Sequence, residues 1–107
     1  MNCIKETEKM YEEFILNVKK LKNLCINELA KRKMGISGES SVGQLEQIIK
    51  ELDEILLKIS IGNIPPQSNR FLSSFAYAFK EWGWNMQNPS DLYVLLCRVN
   101  TAYENLE

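Results

Sequence analysis

The residue types able to do chemistry in this 107-residue sequence are few, and their spacing gives them little to work with. Histidine is absent, which removes the commonest general base, proton shuttle and metal ligand at neutral pH. The Glu-x-x-His signature of di-iron helical bundles goes with it. Three cysteines, Cys3, Cys25 and Cys97, are odd in number, far apart and form no C-x-x-C pair, which argues against a disulfide framework and a zinc site. Cys25 and Cys97 fall in apolar stripes, where a thiol behaves as a small hydrophobe, and a reducing compartment fits them. Cys3 has no base beside it. Gly35, Gly38 and Gly43 are scattered, without the lysine and serine that follow a phosphate-cradling loop. Asp53 and Glu54 are paired carboxylates, but acid–base work needs a cleft and the pattern puts them on an exposed helix face. The expectation is a chain with no catalytic residue, no cofactor and no metal, acting through its outer surface.

That surface is positioned by helices. From Ile4 to about Met34, the residues Ile4, Tyr11, Phe14, Val18, Leu21, Cys25 and Leu29 form a heptad-like seam. Glutamates lie early and Lys31, Arg32 and Lys33 late, the polarity that a helix dipole favours. Gly35 ends this helix. Ser41 with Gln44 makes a capping-box pattern opening a second helix over 42–60. Its inward stripe is Val42, Leu45, Ile48, Ile49, Leu52, Ile55, Leu56 and Ile59; Glu46, Lys50, Asp53 and Glu54 point outward. Leu57 stands among these charges, about 120° round the helix from Leu45 at 100° per residue. An apolar residue ringed by acids is either an ordinary exposed leucine or a binding anchor.

The stretch FLSSFAYAFKEWGW, Phe71 to Trp84, holds six of the ten aromatic residues. On a third helix over 66–82 it places Leu72, Phe75, Phe79 and Trp82 on one face, with Tyr77 pointing away and Trp84 just past the terminating Gly83. Asn88, Pro89 and Asp91 then read as cap, first and third positions of a last helix over 89–105. Residues 1–107 are therefore predicted to be one all-α domain, an antiparallel four-helix bundle with a long first helix. At 1.5 Å per residue that helix is about 45 Å long against about 28 Å for its partners. Either its end projects or it breaks, and Asn23 and Asn27 are the expected places for a break.

Charge narrows the partner class. Residues 1–34 carry eight basic and five acidic groups, residues 35–62 two and five, and the whole chain −1. No dominant basic patch suggests nucleic acid. No apolar run approaches the ~20 residues of a membrane span, and the opening MNCIKETEKM has acids where a signal peptide is apolar. A cytoplasmic protein is expected.

The segment from Pro65-Pro66 to Pro89, with Arg70, Phe75, Tyr77-Ala78, Glu81-Trp82, Trp84 and Met86, resembles a pattern in small all-helical bacterial immunity proteins, the antidotes to contact-dependent and other polymorphic toxins. The resemblance covers about a quarter of the chain and includes no catalytic motif. It implies a protein that binds one cognate toxin domain, often a nuclease, and blocks it sterically and electrostatically. Glu46, Asp53, Glu54 and Leu57, with Tyr77 and Trp84, are the expected contact residues, since carboxylates can mimic nucleic-acid phosphates and an apolar anchor slows release. A homo-oligomeric adaptor using the first helix as a coiled-coil arm is the alternative, and both a monomer and a homodimer are compatible with the sequence.

Overall fold

The computed structural model describes residues 3–66, 70, 72 and 87–106. Within them the chain forms three helices, α1 (Cys3–Lys33), α2 (Val42–Ser60) and α3 (Asp91–Glu104), and no strand. The predicted third helix falls largely outside these residues. The residues of its span that are described, Pro66, Arg70 and Leu72, are not helical.

α1 is continuous over 31 residues, so the expected break at Asn23 or Asn27 does not occur. Both asparagines are exposed, where their side chains meet water and leave the helix bonds alone. The length mismatch is met by projection instead. Lys22 of α1 reaches Asp53 of α2 at 2.6 Å, and the Phe14 ring stacks on Tyr103 of α3 with centroids 6.0 Å apart. With the short 34–41 connection and with Ser90 and Leu92 beside Glu28 and Arg32, these pairings run α2 and α3 both antiparallel to α1 and leave about ten residues of α1, some 15 Å at the helical rise, beyond the ends of both. The longest dimension of the molecule, 51 Å, is close to the length of this one helix.

The middle of the seam read from the sequence lies in the core, with Tyr11 and Leu29 partly buried at its edge. Phe14, Val18, Leu21 and Cys25 of α1 are buried against Leu45, Ile48, Leu52 and Ile55 of α2 and Leu92, Tyr93, Leu96, Val99 and Tyr103 of α3, with Leu72 and Leu106 closing the cluster. Burying a leucine or isoleucine of this kind contributes about 1.5–3 kcal/mol. Tyr93 is buried with them.

The helix ends are set locally. Ser41 caps α2 as predicted: its hydroxyl accepts from the Gln44 N–H at 3.1 Å and Gln44 Oε1 accepts from the Ser41 N–H at 3.0 Å. α1 and α2 both finish in glycine turns, Gly35 (φ 86°) and Gly62 (φ 69°), in which the next N–H reaches back to Lys31 O and Lys58 O, satisfying carbonyls that the helix leaves open. α3 starts two residues later than predicted. Ser90, not Asn88, is the cap, its hydroxyl accepting from the Tyr93 N–H at 3.2 Å. Pro89 therefore precedes the helix, and Asp91 becomes its first residue, still favoured there by the dipole.

Two arginines hold the connections. Arg70 donates to Pro65 O at 2.9 Å, Tyr103 O at 3.0 Å and Leu106 O at 2.6 Å, while its guanidinium lies 5.9 Å from the Tyr103 ring centre. It thus ties the chain after α2 to the last turn of α3, at Tyr103, and to the chain just beyond it, at Leu106. Arg32, predicted only as dipole-favoured charge, has a side chain just 11% exposed. It donates to Ser40 O at 2.6 Å and Ile36 O at 3.4 Å and pairs with Glu28 at 3.1 Å. A Cβ at Gly38 would meet this guanidinium, so a side chain there would displace Arg32 from its present position over the α1–α2 loop.

Candidate functional site

α2 is amphipathic, and burying its inward stripe against α1 fixes what its other side shows. Beside Leu29 of α1, an open groove of about 480 Å³ runs along α2. Leu29 from α1 and Ile49 and Leu57 from α2 give it an apolar floor; Glu46, Lys50, Asp53 and Glu54 form its rim. The four α2 residues predicted from sequence, Glu46, Asp53, Glu54 and Leu57, therefore border a single surface feature. Leu57 is 60% exposed, and no described core residue covers it.

One of the four is not a free charge. The Asp53 carboxylate is engaged by Lys22, half-exposed, and serves to tie α2 to α1. It faces outward as expected, and a partner that uses it must compete with Lys22. Glu46 and Glu54 stand either side of Lys50 at four-residue intervals, one helical turn apart. Tyr77 and Trp84 lie outside the described residues.

Sequence reasoning missed Leu29, Ile49 and Lys50 as groove residues. Leu29 and Ile49 were assigned to the core stripes, yet each is only partly buried and packs on the core's edge. Lys50 was legible as outward-facing and needed only to be joined to the acids one turn away on each side.

A second, polar cleft of about 260 Å³ lies at the C-terminal end of α1, lined in part by Glu28, Lys31, Arg32, Glu39, Ser40 and Ser90. Its most prominent donor, Arg32, is committed to loop carbonyls and Glu28, and Ser90 is the α3 cap. Both hold the fold.

Cys25 and Cys97 are quiet thiols. Burial, helped by the nearby Glu28 carboxylate, pushes Cys25 up to about 12, and burial raises Cys97 too, so neither supplies a thiolate nucleophile at neutral pH. Among the described residues no group of three or more histidine, cysteine or acidic side chains is placed to hold a metal ion, and no helix is long and apolar enough to cross a membrane. The groove beside α2 thus combines apolar side chains with charged ones. No family model, curated protein or solved structure matches the chain.

Proposed function

We propose that this chain is an immunity protein that binds a cognate bacterial toxin domain, a nuclease, in the cytoplasm and neutralises it by steric and electrostatic blocking, without chemistry of its own. The observation that supports this most directly is the convergence of Glu46, Glu54 and exposed Leu57 on one open groove. Charged rims speed encounter with an oppositely charged surface, and a desolvated apolar anchor slows release. A nuclease presents basic residues to its substrate's phosphates, and the two glutamates offer the matching charge. The resemblance over residues 65–89 points the same way.

The test is co-expression with the toxin domain encoded beside its gene. Growth restored by this chain, and lost again with Leu57→Ser or Glu54→Lys, is the expected result. Growth arrest unaffected by the wild-type chain overturns the reading.

A homo-oligomeric adaptor built on α1 is the second reading, favoured by the uninterrupted run of α1 past the ends of α2 and α3. Removing residues 1–12 abolishes association if α1 is the arm; association unchanged by the truncation removes this reading.

A further inference from the structure

The longest helix has a side that the fold leaves unused. Opposite the buried line Phe14, Val18, Leu21 and Cys25, α1 presents Leu16, Asn23, Asn27 and Ala30, with Met34 just past its end, all within about 30° of one direction at 100° per residue. Lys19 and Lys33 flank this line on one side and Lys20 and Lys31 on the other, about 50–90° from its centre at the same pitch. Every one of these residues is exposed. The strip from Leu16 to Met34 is about 27 Å long at the helical rise. It contains no acid: none occurs from Phe14 to Asn27, and Glu28 lies round the helix on another side, engaged by Arg32 at 3.1 Å. Glu12 and Glu13 bound the strip at its N-terminal end.

Helix stability accounts for only half of these charges. Lys31 and Lys33 stand in the last turn of α1, where the dipole favours a cation. Lys19 and Lys20 lie more than about three turns earlier at 3.6 residues each, beyond the dipole's reach. Among the described residues neither they nor Lys33 is in an ion pair, and Lys31 reaches Glu28 only at 3.8 Å. Folding leaves the apolar members unexplained too. Leu16 is 52% exposed, Met34 77%, and Ile26, on the Lys19 side of the strip, 44%. Cations that answer to no acid in the chain are thus set around apolar side chains that answer to no core, and the matching partner is anionic at its surface and apolar just beneath.

We propose that this face of α1 lies on an anionic lipid surface, with Leu16, Ile26 and Met34 at the boundary of headgroups and acyl chains and the four lysines reaching lipid phosphates from both sides. Attachment of this kind adds electrostatic attraction to the burial of apolar area, and each lysine is drawn by the negative potential of the surface. Asn23 and Asn27 then sit at headgroup level, where water and phosphate oxygens satisfy their amides. Nucleic acid is the other polyanion, and the face suits it less. Base readout and stacking draw on arginine and aromatic side chains; the face has neither, and Arg32, the one arginine of α1, is committed to loop carbonyls and Glu28. The contact is a surface attachment, since no described helix is long and apolar enough to cross a membrane. It lies on the side of α1 away from the core shared with α2 and α3, and uses none of the groove residues of α2.

The experiment is co-sedimentation of the purified full chain with vesicles of phosphatidylcholine alone or mixed with phosphatidylglycerol, beside a gel shift with duplex DNA at the same salt. The wild-type chain is expected to sediment with the mixed vesicles and not with the neutral ones, less so as salt is raised. Lys19→Gln with Lys20→Gln is expected to weaken binding about fivefold for each lysine removed. Leu16→Ser with Met34→Ser weakens it while leaving its salt dependence in place, and Lys58→Gln, an exposed lysine of α2 outside the strip, changes nothing. All the substituted residues are exposed, and circular dichroism confirms that each variant keeps its helices. A chain that ignores the mixed vesicles overturns the proposal, as does binding that neutral vesicles match or that the two α1 lysines do not affect. Retention of DNA without retention of vesicles overturns it too, and marks the strip as a nucleic-acid face. None of these results touches the immunity reading, which is measured by toxin neutralisation.

Discussion

The two faces of α2 obey different rules although they share one backbone and one pair of caps. The inward face, Leu45, Ile48, Leu52 and Ile55, is fully covered, so each residue is fixed by the volume around it. The outward face, Glu46, Lys50, Glu54 and Leu57, is covered by no described core residue, and folding places no demand on its identity. A leucine kept there is explained by something outside the fold or by nothing at all. The comparison therefore separates residues that make the protein from residues available to a partner.

The largest expected effect is on the inward face. Leu52→Ala removes a side chain with no exposed surface and should destabilise the protein by about 2–5 kcal/mol, the transfer loss plus the cavity. Urea unfolding followed by circular dichroism measures it. A cost below about 1 kcal/mol would mean that the face is looser than its burial suggests.

How dry that interior is can be read from pH. Cys25 lies in the same core, its thiol raised from 9.0 to about 12 by burial first and Glu28 second. Below pH 9 both folded and unfolded chains keep the proton, and the stabilising preference for the neutral thiol is fully present. Between 9.0 and about 12 the unfolded chain ionises and the folded one does not, so stability should fall by about 1.4 kcal/mol per pH unit from this group. Tyr93 and Tyr103, also raised chiefly by burial, act in the same direction. Unfolding midpoints from pH 7 to 10.5 should drop along this limb, less steeply in Cys25→Ala.

Asp53 sits on the border between the two faces. Its pair with Lys22 is short, but both side chains are partly exposed. Asp53→Asn should therefore cost only about 0–1 kcal/mol, an effect that shrinks in high salt.

The inward face was readable from sequence because a 3.6-residue period and a capping box are local signals. Ser41 and Gln44 bond as their spacing predicts, and every residue of the predicted α2 stripe is buried or partly buried. The groove was half readable: periodicity placed Glu46, Glu54 and Leu57 outward, but Leu29 joins them only through the register between α1 and α2, which neither helix's own period contains. Arg32 and Arg70 were not readable as clamps because they bind backbone carbonyls, which every residue has. The expected break in α1 rested on matching helix lengths. Exposed asparagines do not oblige a helix to end, and a helix longer than its neighbours simply runs past them.

The smallest stability effect carries the most weight for function. Leu57→Ser should change unfolding free energy by no more than about 0.5 kcal/mol, as for a surface residue away from caps and core. The same substitution should weaken toxin neutralisation, because it removes the apolar anchor while leaving Glu46 and Glu54 in place. Measured beside Leu52→Ala, five residues away on the same helix, it asks whether stability and binding separate by face. A Leu57→Ser chain as unstable as Leu52→Ala would mean that Leu57 is packed within the protein in solution, and the groove would lose its floor. A chain equally stable and equally protective would make Leu57 one of the ordinary exposed leucines found on most protein surfaces, leaving charge alone to account for recognition.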